Sequence, residues 1–419
     1  MTCRFCNTPL SHILVDLGAT AVSNAFLKKD QLDLGEAIYP LKVYVCEKCF
    51  LVQVPELRKR EDLFTPDYVY ASSVSKSWLE HCRLHVENLV DRFSLGPTSQ
   101  VMEIASNDGY LLQYFRQKNI PCLGIEPTQS TAELARQKGI ETLVEFFDDA
   151  LAERLIRENR RADVLIGNNV LAHVPDLNRF VRGMKLILSE RGVVSMEFPH
   201  LLKMIDRNEF DTIYHEHYSY FSYETVKNIF AHHDLSIFDV EELPTHGGSL
   251  RIYAAHSEQK DFPETERAKS LSRREVDWGV GRLATYGGFQ EKTDRTKNRF
   301  LQFLIGEKLK GRRIAGFGAA AKGNTFINYA GIHADLISYV VDDTPFKQGR
   351  YLPQSHIPVF PADKLESDRP DLIVILPWNF KKEIADKLAF AKAWEARLVA
   401  AIPELQVWPA GGDIPKDPH

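Results

Sequence analysis

From Gln100 onward, short apolar runs alternate with helix-like stretches, and this alternation restricts the fold more than any other feature of the chain. "VMEIASNDG" reads as a strand closing in small and polar residues, and a helical run follows at "YLLQYFRQKN". Strand "CLGIEP", helix "STAELARQKG", strand "ETLVEFF", helix "DALAERLIREN", strand "ADVLIGNN", helix "LNRFVRGMKLILS" and strand "GVVSMEFP" keep the rhythm. Repeated βαβ units imply a parallel sheet covered by helices on both faces, so the predicted class is α/β. "LSIFDVEELPTHGGSLRIYAAH" breaks the pattern: two runs joined through a Pro/Gly turn predict an antiparallel edge hairpin. A second alternating unit starts at "RRIAGFGAAAKGN" and continues through "LISYVVDD" and "DLIVILPWN". Between the two units the chain is strongly charged and helical in pattern. The expected division is a cysteine-bearing domain at 1–66, an α/β domain at 67–257, a helical linker at 258–300 and a second Rossmann-like domain at 301–419.

With 419 residues the chain is long enough for two to three domains, each with its own core. Its net charge of −5 argues against a nucleic-acid partner, which would require a basic face to replace phosphate counterions. No apolar run approaches the ~18 residues of a membrane span, and "MTCRFCNTPL" carries no apolar signal segment. A cytoplasmic monomer with no membrane contact is expected. In a reducing compartment cysteines bind metal more often than they form disulfides.

Cys3-x-x-Cys6 and Cys46-x-x-Cys49 form two knuckles separated by 39 residues. Zinc takes four thiolates in a tetrahedron, and each CxxC turn presents two sulfurs on one side. A redox-active CxxC belongs at a strand-to-helix turn, and neither pair sits in one. Four thiolates leave no open coordination position, so the predicted zinc is structural. Cys82 and Cys122 fall in helix and strand patterns and read as core residues.

The first strand-to-helix turn lacks G-x-G-x-x-G, so its ligand need not carry a pyrophosphate. Glu126 ends the next strand, where a carboxylate accepts the ribose hydroxyls of a nucleoside in dinucleotide folds. Further on, "TIYHEHYSYFS" places two histidines around one carboxylate among tyrosines. It is not H-E-x-x-H, because Ser219 stands where the second histidine would be required. An acid–base cluster or aromatic packing remains. His173, in "VLAHVPD", lies just beyond the fourth strand and is expected to face the same cavity. In the second unit Gly316-x-Gly318-x-x-Ala321 precedes a helix, with Asp342 and Asp343 24 and 25 residues beyond Gly318. Taken alone, that nearly matches a dinucleotide fingerprint.

"EIASNDG", "GIEP" and "DVLIGNNVLAHVPD" together are similar to class I S-adenosylmethionine (SAM)-dependent methyltransferases. With the cysteine knuckles, "HEHYSYFS", "THGGSLRIY" and "GFGAAAKGNT", nearly the whole chain resembles the three-domain C-methyltransferases of nucleotide-deoxysugar biosynthesis, of the type acting at carbon 3 of dTDP-linked 4-keto sugars. The resemblance implies that Glu103, Ala105, Asn107 and Gly109 cradle the methionine and ribose side of SAM, that Glu126 holds the ribose diol, that Phe147 packs near adenine and that Asn168 lies near the sulfonium. Ala105 departs from the family, which usually carries glycine there. The resemblance places the base that removes the sugar's α proton at His217, flanked by Tyr214 and Glu216. It carries Tyr68 over as a further substrate contact, with Tyr70 competing for that role. His246 and Arg251, in "THGGSLRIY", are candidates to close on the sugar. The second Rossmann unit would hold the nucleotide of the substrate, with Gly318, Lys322 and Asn324 near the diphosphate. Rival expectations are a sugar O-methyltransferase of the same architecture, an NAD(P)-dependent oxidoreductase using the second unit, and a zinc-bearing binding module without catalysis.

Overall fold

A computed structural model describes residues 1–59 and 72–416. Seventeen strands, numbered β1–β17 along the chain, form three sheets among the described residues. The first sheet has the order β1–β2–β3–β9, from His12–Ala21 (β1), Ile38–Val45 (β2), Val52–Gln53 (β3) and Ser219–Tyr220 (β9). β9 comes from the histidine-rich stretch and pairs antiparallel with β3. The amino-terminal domain therefore holds part of the candidate site in its own sheet.

The second sheet contains Val101–Ile104 (β4), Cys122–Ile125 (β5), Glu141–Leu143 (β6), Ala162–Asn168 (β7), Leu188–Pro199 (β8), Leu235–Leu243 (β10) and Ser249–His256 (β11). Its order is β10–β11–β8–β7–β4–β5–β6. Pairings from β6 to β8 are parallel, while β11 runs antiparallel to both β8 and β10. The hairpin predicted from the Pro/Gly turn is present, with β10 at the sheet edge. β4 neighbours both β5 and β7, so chain connections leave it in opposite directions. The crevice at the carboxyl ends of β4, β5 and β7 is the topological switch point, where open α/β sheets bind ligands. The strands read as continuous apolar runs because both faces are covered: Val101, Met102, Leu123, Leu165 and Ile166 are fully buried.

The third sheet has the order β14–β13–β12–β15–β16–β17, built from Ile314–Phe317 (β12), Val340–Val341 (β13), Val359–Phe360 (β14), Leu372–Ile375 (β15), Arg397–Ala400 (β16) and Gln406–Pro409 (β17). All its pairings are parallel except β16–β17. The strand expected over "LISYVVDD" shrinks to two residues. Helices Glu266–Trp278 and Phe289–Leu309 join the two α/β units, and the second runs through residue 300, where the sequence suggested a boundary. Glu275, in the first of them, is buried: it accepts from the backbone N–H of Tyr223 and Glu224 and pairs with His200 at 2.7 Å. That carboxylate caps the helix Tyr223–His232 and ties the connecting helices to the end of β8. No helix among the described residues is long and apolar enough to cross a membrane.

Candidate active site

The loop after β4 turns without a glycine until Gly109. Ala105 and Asn107 take left-handed φ angles of 56° and 49° to make that turn. Such angles cost an L-residue with a Cβ about 1–2 kcal/mol, which is the physical reason a glycine is usual at Ala105. Gly109, at φ 74°, lies where a Cβ would stand 2.4 Å from the Ile140 side chain. Glu126 organises the loop. One carboxylate oxygen accepts the Asn107 N–H at 2.9 Å and the other the Thr128 N–H at 2.8 Å. Burial raises its pKa, while those N–H donors work in the opposite direction. Both oxygens keep lone pairs for further donors. Asn107 in turn accepts the Ser72 N–H at 2.9 Å through its side chain.

Glu103 and Asn168 face the same crevice from the ends of β4 and β7. Glu103 is fully buried, and neither of its oxygens receives a hydrogen bond of ordinary geometry, although the Tyr110 hydroxyl is close enough to steady it. Burial pushes its carboxyl well above the usual range. Both polar atoms of the Asn168 side chain are likewise buried without a hydrogen bond of ordinary geometry, with the Tyr110 hydroxyl beside them. Orphaned polar groups are costly in a folded protein unless something meets them. An ammonium-bearing cofactor such as SAM would complete this donor and acceptor set. Phe147 is buried and packs edge-on against Phe180, with ring centroids 5.6 Å apart.

The histidine-rich stretch is an irregular loop ending in β9. His217 Nδ1 donates to the Thr212 carbonyl at 2.9 Å, which fixes the tautomer and leaves Nε2 as the acceptor. The Tyr214 hydroxyl donates to that Nε2 at 2.6 Å. The His173 ring meets the His217 ring edge-on, 4.7 Å between centroids. Burial lowers the pKa of His173 to about 4 and holds His217 well below the ordinary histidine value, so both rings are neutral at pH 7. Glu216 is buried, and burial raises its pKa to about 7; one of its oxygens accepts from Asn24 at 3.1 Å. The loop is propped by its surroundings: Tyr218 N–H donates to the Ala172 carbonyl at 2.7 Å, and Val54 N–H to the Tyr218 carbonyl at 3.0 Å.

His246 takes φ 56° and meets the Asn169 side chain at 3.1 Å, beside the Trp78 ring at 5.4 Å. Burial lowers its pKa to about 4. Arg251 does not join this group. Its guanidinium is committed to Glu197 at 2.6 Å and Glu241 at 3.2 Å, within the β8–β11 layer, and His81 donates to the same Glu197 carboxylate at 2.8 Å. Burial opposes ionisation of Glu197, but Arg251 and His81 hold its carboxyl well below the usual range. These ion pairs fix the Arg251 side chain from two neighbouring strands. Tyr68 and Tyr70 lie outside the described residues.

The second unit reaches the histidines through the helix Ala321–Ala330. Thr325 Oγ donates to the Ile213 carbonyl at 2.9 Å, and Asn324 Nδ2 to the Ser23 carbonyl at 2.6 Å. Asn324 thus clamps the amino-terminal domain. Gly318, at φ 89°, lies where a Cβ would stand 2.5 Å from Pro377, so its close approach is to protein. The Lys322 ammonium sits 4.9 Å over the Trp378 ring with no hydrogen-bond partner among the described residues. Trp378 Nε1 donates to Asp211 at 2.7 Å, and burial raises the pKa of Asp211 to about 6. Sequence reasoning missed Trp378 and Asp211. The sole signal was a tryptophan and an aspartate beside segments already singled out, "ILPWN" and "TIYHEH".

The four predicted metal ligands converge. Sγ atoms of Cys3, Cys6, Cys46 and Cys49 all lie within 4.8 Å of one another, with the Cys3–Cys49, Cys6–Cys46 and Cys6–Cys49 separations at 3.5 Å. A tetrahedron with Zn–S bonds of about 2.3 Å has edges of about 3.8 Å, so the thiolate set fits zinc. The cluster is far from open: Cys3 and Cys46 are buried.

Family models and a relative matched over nearly its full length agree with this architecture. Family models match three consecutive regions: "Putative zinc binding domain" over residues 3–64, "Methyltransferase domain" over 78–240 and "C-methyltransferase C-terminal domain" over 244–403. The C-methyltransferase NovU of Streptomyces niveus is 30% identical over 405 residues, covering 97% of this chain and 96% of that protein. Among solved structures, a SAM-dependent methyltransferase from Anabaena variabilis aligns at 14% identity over 49% of this chain and 99% of its own, with a TM-score of 0.37. The magnesium protoporphyrin IX methyltransferase of Synechocystis, solved with bound SAM, aligns at 14% identity over 45% and 86%, with a TM-score of 0.33. The chain belongs to the family of SAM-dependent C-methyltransferases that carry a zinc-binding amino-terminal domain.

Proposed function

We propose that this C-methyltransferase acts on a carbon α to the ketone of a nucleotide-linked 4-keto deoxysugar, most simply carbon 3 of a dTDP-linked sugar, with His217 as the base. A saturated sugar carbon is not a nucleophile; loss of the α proton next to a ketone makes it one. The site must then supply a base for the proton and donors for the enolate oxygen. The observation that carries the assignment is the fixed tautomer of His217. Nδ1–H is held by the Thr212 carbonyl, so Nε2 is the basic nitrogen, and burial keeps it neutral at pH 7. The Tyr214 hydroxyl covers that nitrogen until the sugar arrives, then turns to the substrate oxygen as a donor. His173 packs the imidazole from one side. Glu103, Asn107, Glu126 and Asn168 hold SAM, which supplies the methyl group at its sulfonium. The carboxy-terminal unit takes the nucleotide of the substrate.

The short bond between Tyr214 and His217 favours a second route to the same enolate. The tyrosine oxygen takes the carbon-bound proton while its own proton passes to Nε2. The thiolate cluster suits a reducing cytoplasm.

The test incubates dTDP-, GDP- and UDP-linked 4-keto sugars with SAM and reads a gain of one methyl by mass spectrometry. A second arm replaces SAM with S-adenosylhomocysteine in deuterium oxide. Deuterium uptake at the α carbon supports the enolate. Methyl gain without any such exchange, and on oxygen, supports an O-methyltransferase instead.

A further inference from the structure

Lys322 was expected to meet a diphosphate, because it follows a glycine-bearing turn. Its surroundings point elsewhere. The helix Ala321–Ala330 is pinned against the histidine-rich loop, through Thr325 to the Ile213 carbonyl and through Phe326, which packs edge-on against Phe210 at 5.6 Å. That contact places Lys322, at the start of the helix, beside the loop that carries His217. The ammonium is buried, rests over Trp378 and makes no hydrogen bond or ion pair among the described residues. Trp378 is in turn held by Asp211, whose neighbour Thr212 supplies the carbonyl that orients His217. The Lys322 charge is felt at Asp211, at His217 and at His246, three residues from two separate loops around one space. A buried ammonium without a hydrogen-bond acceptor is a costly arrangement, and it is understandable where an anion forms during the reaction.

Resting on the reading above, we propose that Lys322 is the cation that faces the developing enolate oxygen, presented to the central active site by the carboxy-terminal domain. As the α C–H bond breaks, its proton goes to His217 Nε2 and its electron pair enters the enolate, with the negative charge on the former ketone oxygen. Lys322 donates a charge-assisted hydrogen bond to that oxygen and keeps its own protons. When the carbon attacks the methyl group, the ketone is restored, the S–CH3 electron pair stays on sulfur and the contact relaxes. Trp378 and Asp211 position the ammonium and do not touch the reacting atoms. Joining the two domains in one catalytic centre also accounts for the clamps made by Asn324 and Thr325.

The experiment compares wild type, Lys322→Met and Lys322→Arg on a dTDP-linked 4-keto-6-deoxyhexose at saturation. Methionine keeps the stem and its packing on Trp378 but removes the charge. Expected for Lys322→Met is a fall in kcat of about 10²–10³-fold, the scale of losing one oxyanion donor. Deuterium exchange at the α carbon should fall in parallel, with S-adenosylhomocysteine affinity unchanged and Tm kept or raised, because the variant no longer buries an unpaired ammonium. Lys322→Arg should recover part of both rates. The pH profile supplies a signature that a packing role lacks. His217 is faced by Lys322, His173 and His246, and by the hydroxyls of Tyr214 and Tyr220. Removing the one permanent cation in that ring should move the acid limb of kcat to higher pH. A raised KM with unchanged kcat and exchange would return Lys322 to the diphosphate and overturn the proposal. A lowered Tm with wild-type exchange would make it only a counter-ion for Asp211. If wild type itself acts on no 4-keto sugar nucleotide, the substrate assignment fails, and this proposal fails with it.

Discussion

The two α/β units solve the same local problem with the same device. In the central unit, Glu126 follows the second strand and accepts backbone N–H groups from Asn107 and Thr128. In the carboxy-terminal unit, Asp342 follows β13 and accepts N–H groups from Ala319 at 2.7 Å and Thr344 at 2.8 Å. Beyond that clamp they diverge. Around Glu126 lie buried polar atoms with no hydrogen bond of ordinary geometry, on Glu103, Ser106, Asp108 and Asn168. Around Asp342, Lys347 already closes the space: its ammonium is 3.6 Å from the carboxylate and donates to the Ala319 carbonyl at 2.9 Å. Gly318 is packed on Pro377, and Gly323 on Leu376, at 2.5 and 2.9 Å from the Cβ each lacks. The glycine-rich sequence therefore belongs to the unit whose loop is filled by protein, and the glycine-poor one to the unit with polar groups left to satisfy. An oxidoreductase using the second unit would require a dinucleotide to displace Lys347 and Pro377.

The largest expected effect sharpens a further asymmetry: the central unit's site is propped from outside, by the zinc domain. β9 pairs with β3, just beyond the second cysteine knuckle. Structural zinc contributes on the order of 10 kcal/mol in small domains, comparable with the whole stability of about 5–15 kcal/mol of a folded protein. Cys46→Ser should lose metal, one zinc per chain in the wild type, together with soluble folded protein. Metal analysis and thermal melting check this. A metal-free variant that melts like wild type would show that the central site stands without its prop.

Next in size is His217→Asn, which keeps a polar side chain and removes the titrating nitrogen. Loss of a general base costs about 10²–10⁴-fold in rate, while S-adenosylhomocysteine affinity should stay within about threefold. The pH profile follows from the direction of the His217 shift. Burial first, and then the neighbours His173, Lys322 and His246, disfavour the protonated ring, with the Thr212 carbonyl opposing them. The neutral ring is the base, so the rate falls only as pH drops through that lowered value. The acid limb of kcat should lie below the ordinary 6.5 of histidine. A limb at or above 6.5 would assign the base to another group. Tyr214→Phe separates the two proton routes: persistence of exchange favours His217 acting directly, and its loss favours the tyrosine relay.

Paired substitutions test the comparison itself. Glu126→Ala should weaken S-adenosylhomocysteine binding by about 1.5–3 kcal/mol, the scale of hydrogen bonds to a charged group. Asp342→Ala should leave that affinity unchanged and lower Tm instead, because the Ala319 and Thr344 N–H groups lose their acceptor and Lys347 loses its ion pair. Titration calorimetry with the same ligand on both variants decides. Equal losses would mean that the two carboxylates serve one ligand.

The architecture was legible because periodicity reports it: nine alternating segments after Gln100 predict the parallel sheet, and a Pro/Gly break predicts its antiparallel edge. Cysteine spacing likewise led to a cluster that closes in space. Glu126 was legible as a carboxylate at a strand end, though not the two N–H groups that aim it. The glycines misled, because a sequence shows that a close approach exists and not what approaches; here Pro377 and Leu376 do. The surroundings of Arg251 were illegible for the same reason, since Glu197, Glu241 and His81 arrive from three other segments. The Trp378–Asp211 contact spans 167 residues, and no local pattern encodes it.

The smallest effect concerns the turn in which the two loops are mirror cases. Ala105 holds φ 56° with a Cβ, and Gly318 holds φ 89° where a Cβ would strike Pro377. Gly318→Ala meets both strain and a clash and should cost clearly more than 1 kcal/mol. Ala105→Gly removes strain of about 1–2 kcal/mol, but the freer unfolded chain takes back about 0.5–1 kcal/mol. The net change in stability should therefore lie between about 0 and 1.5 kcal/mol, in the stabilising direction. Denaturant unfolding monitored on both variants measures it. Ala105 also packs against the hydrophobic core of the central unit. If Ala105→Gly instead destabilises by more than about 1 kcal/mol, that methyl group is needed for packing, and the loop kept alanine for its contacts despite the backbone strain. If stability rises while S-adenosylhomocysteine binds less tightly, the methyl group shapes the methionine pocket, and the departure from glycine belongs to ligand fit and not to folding.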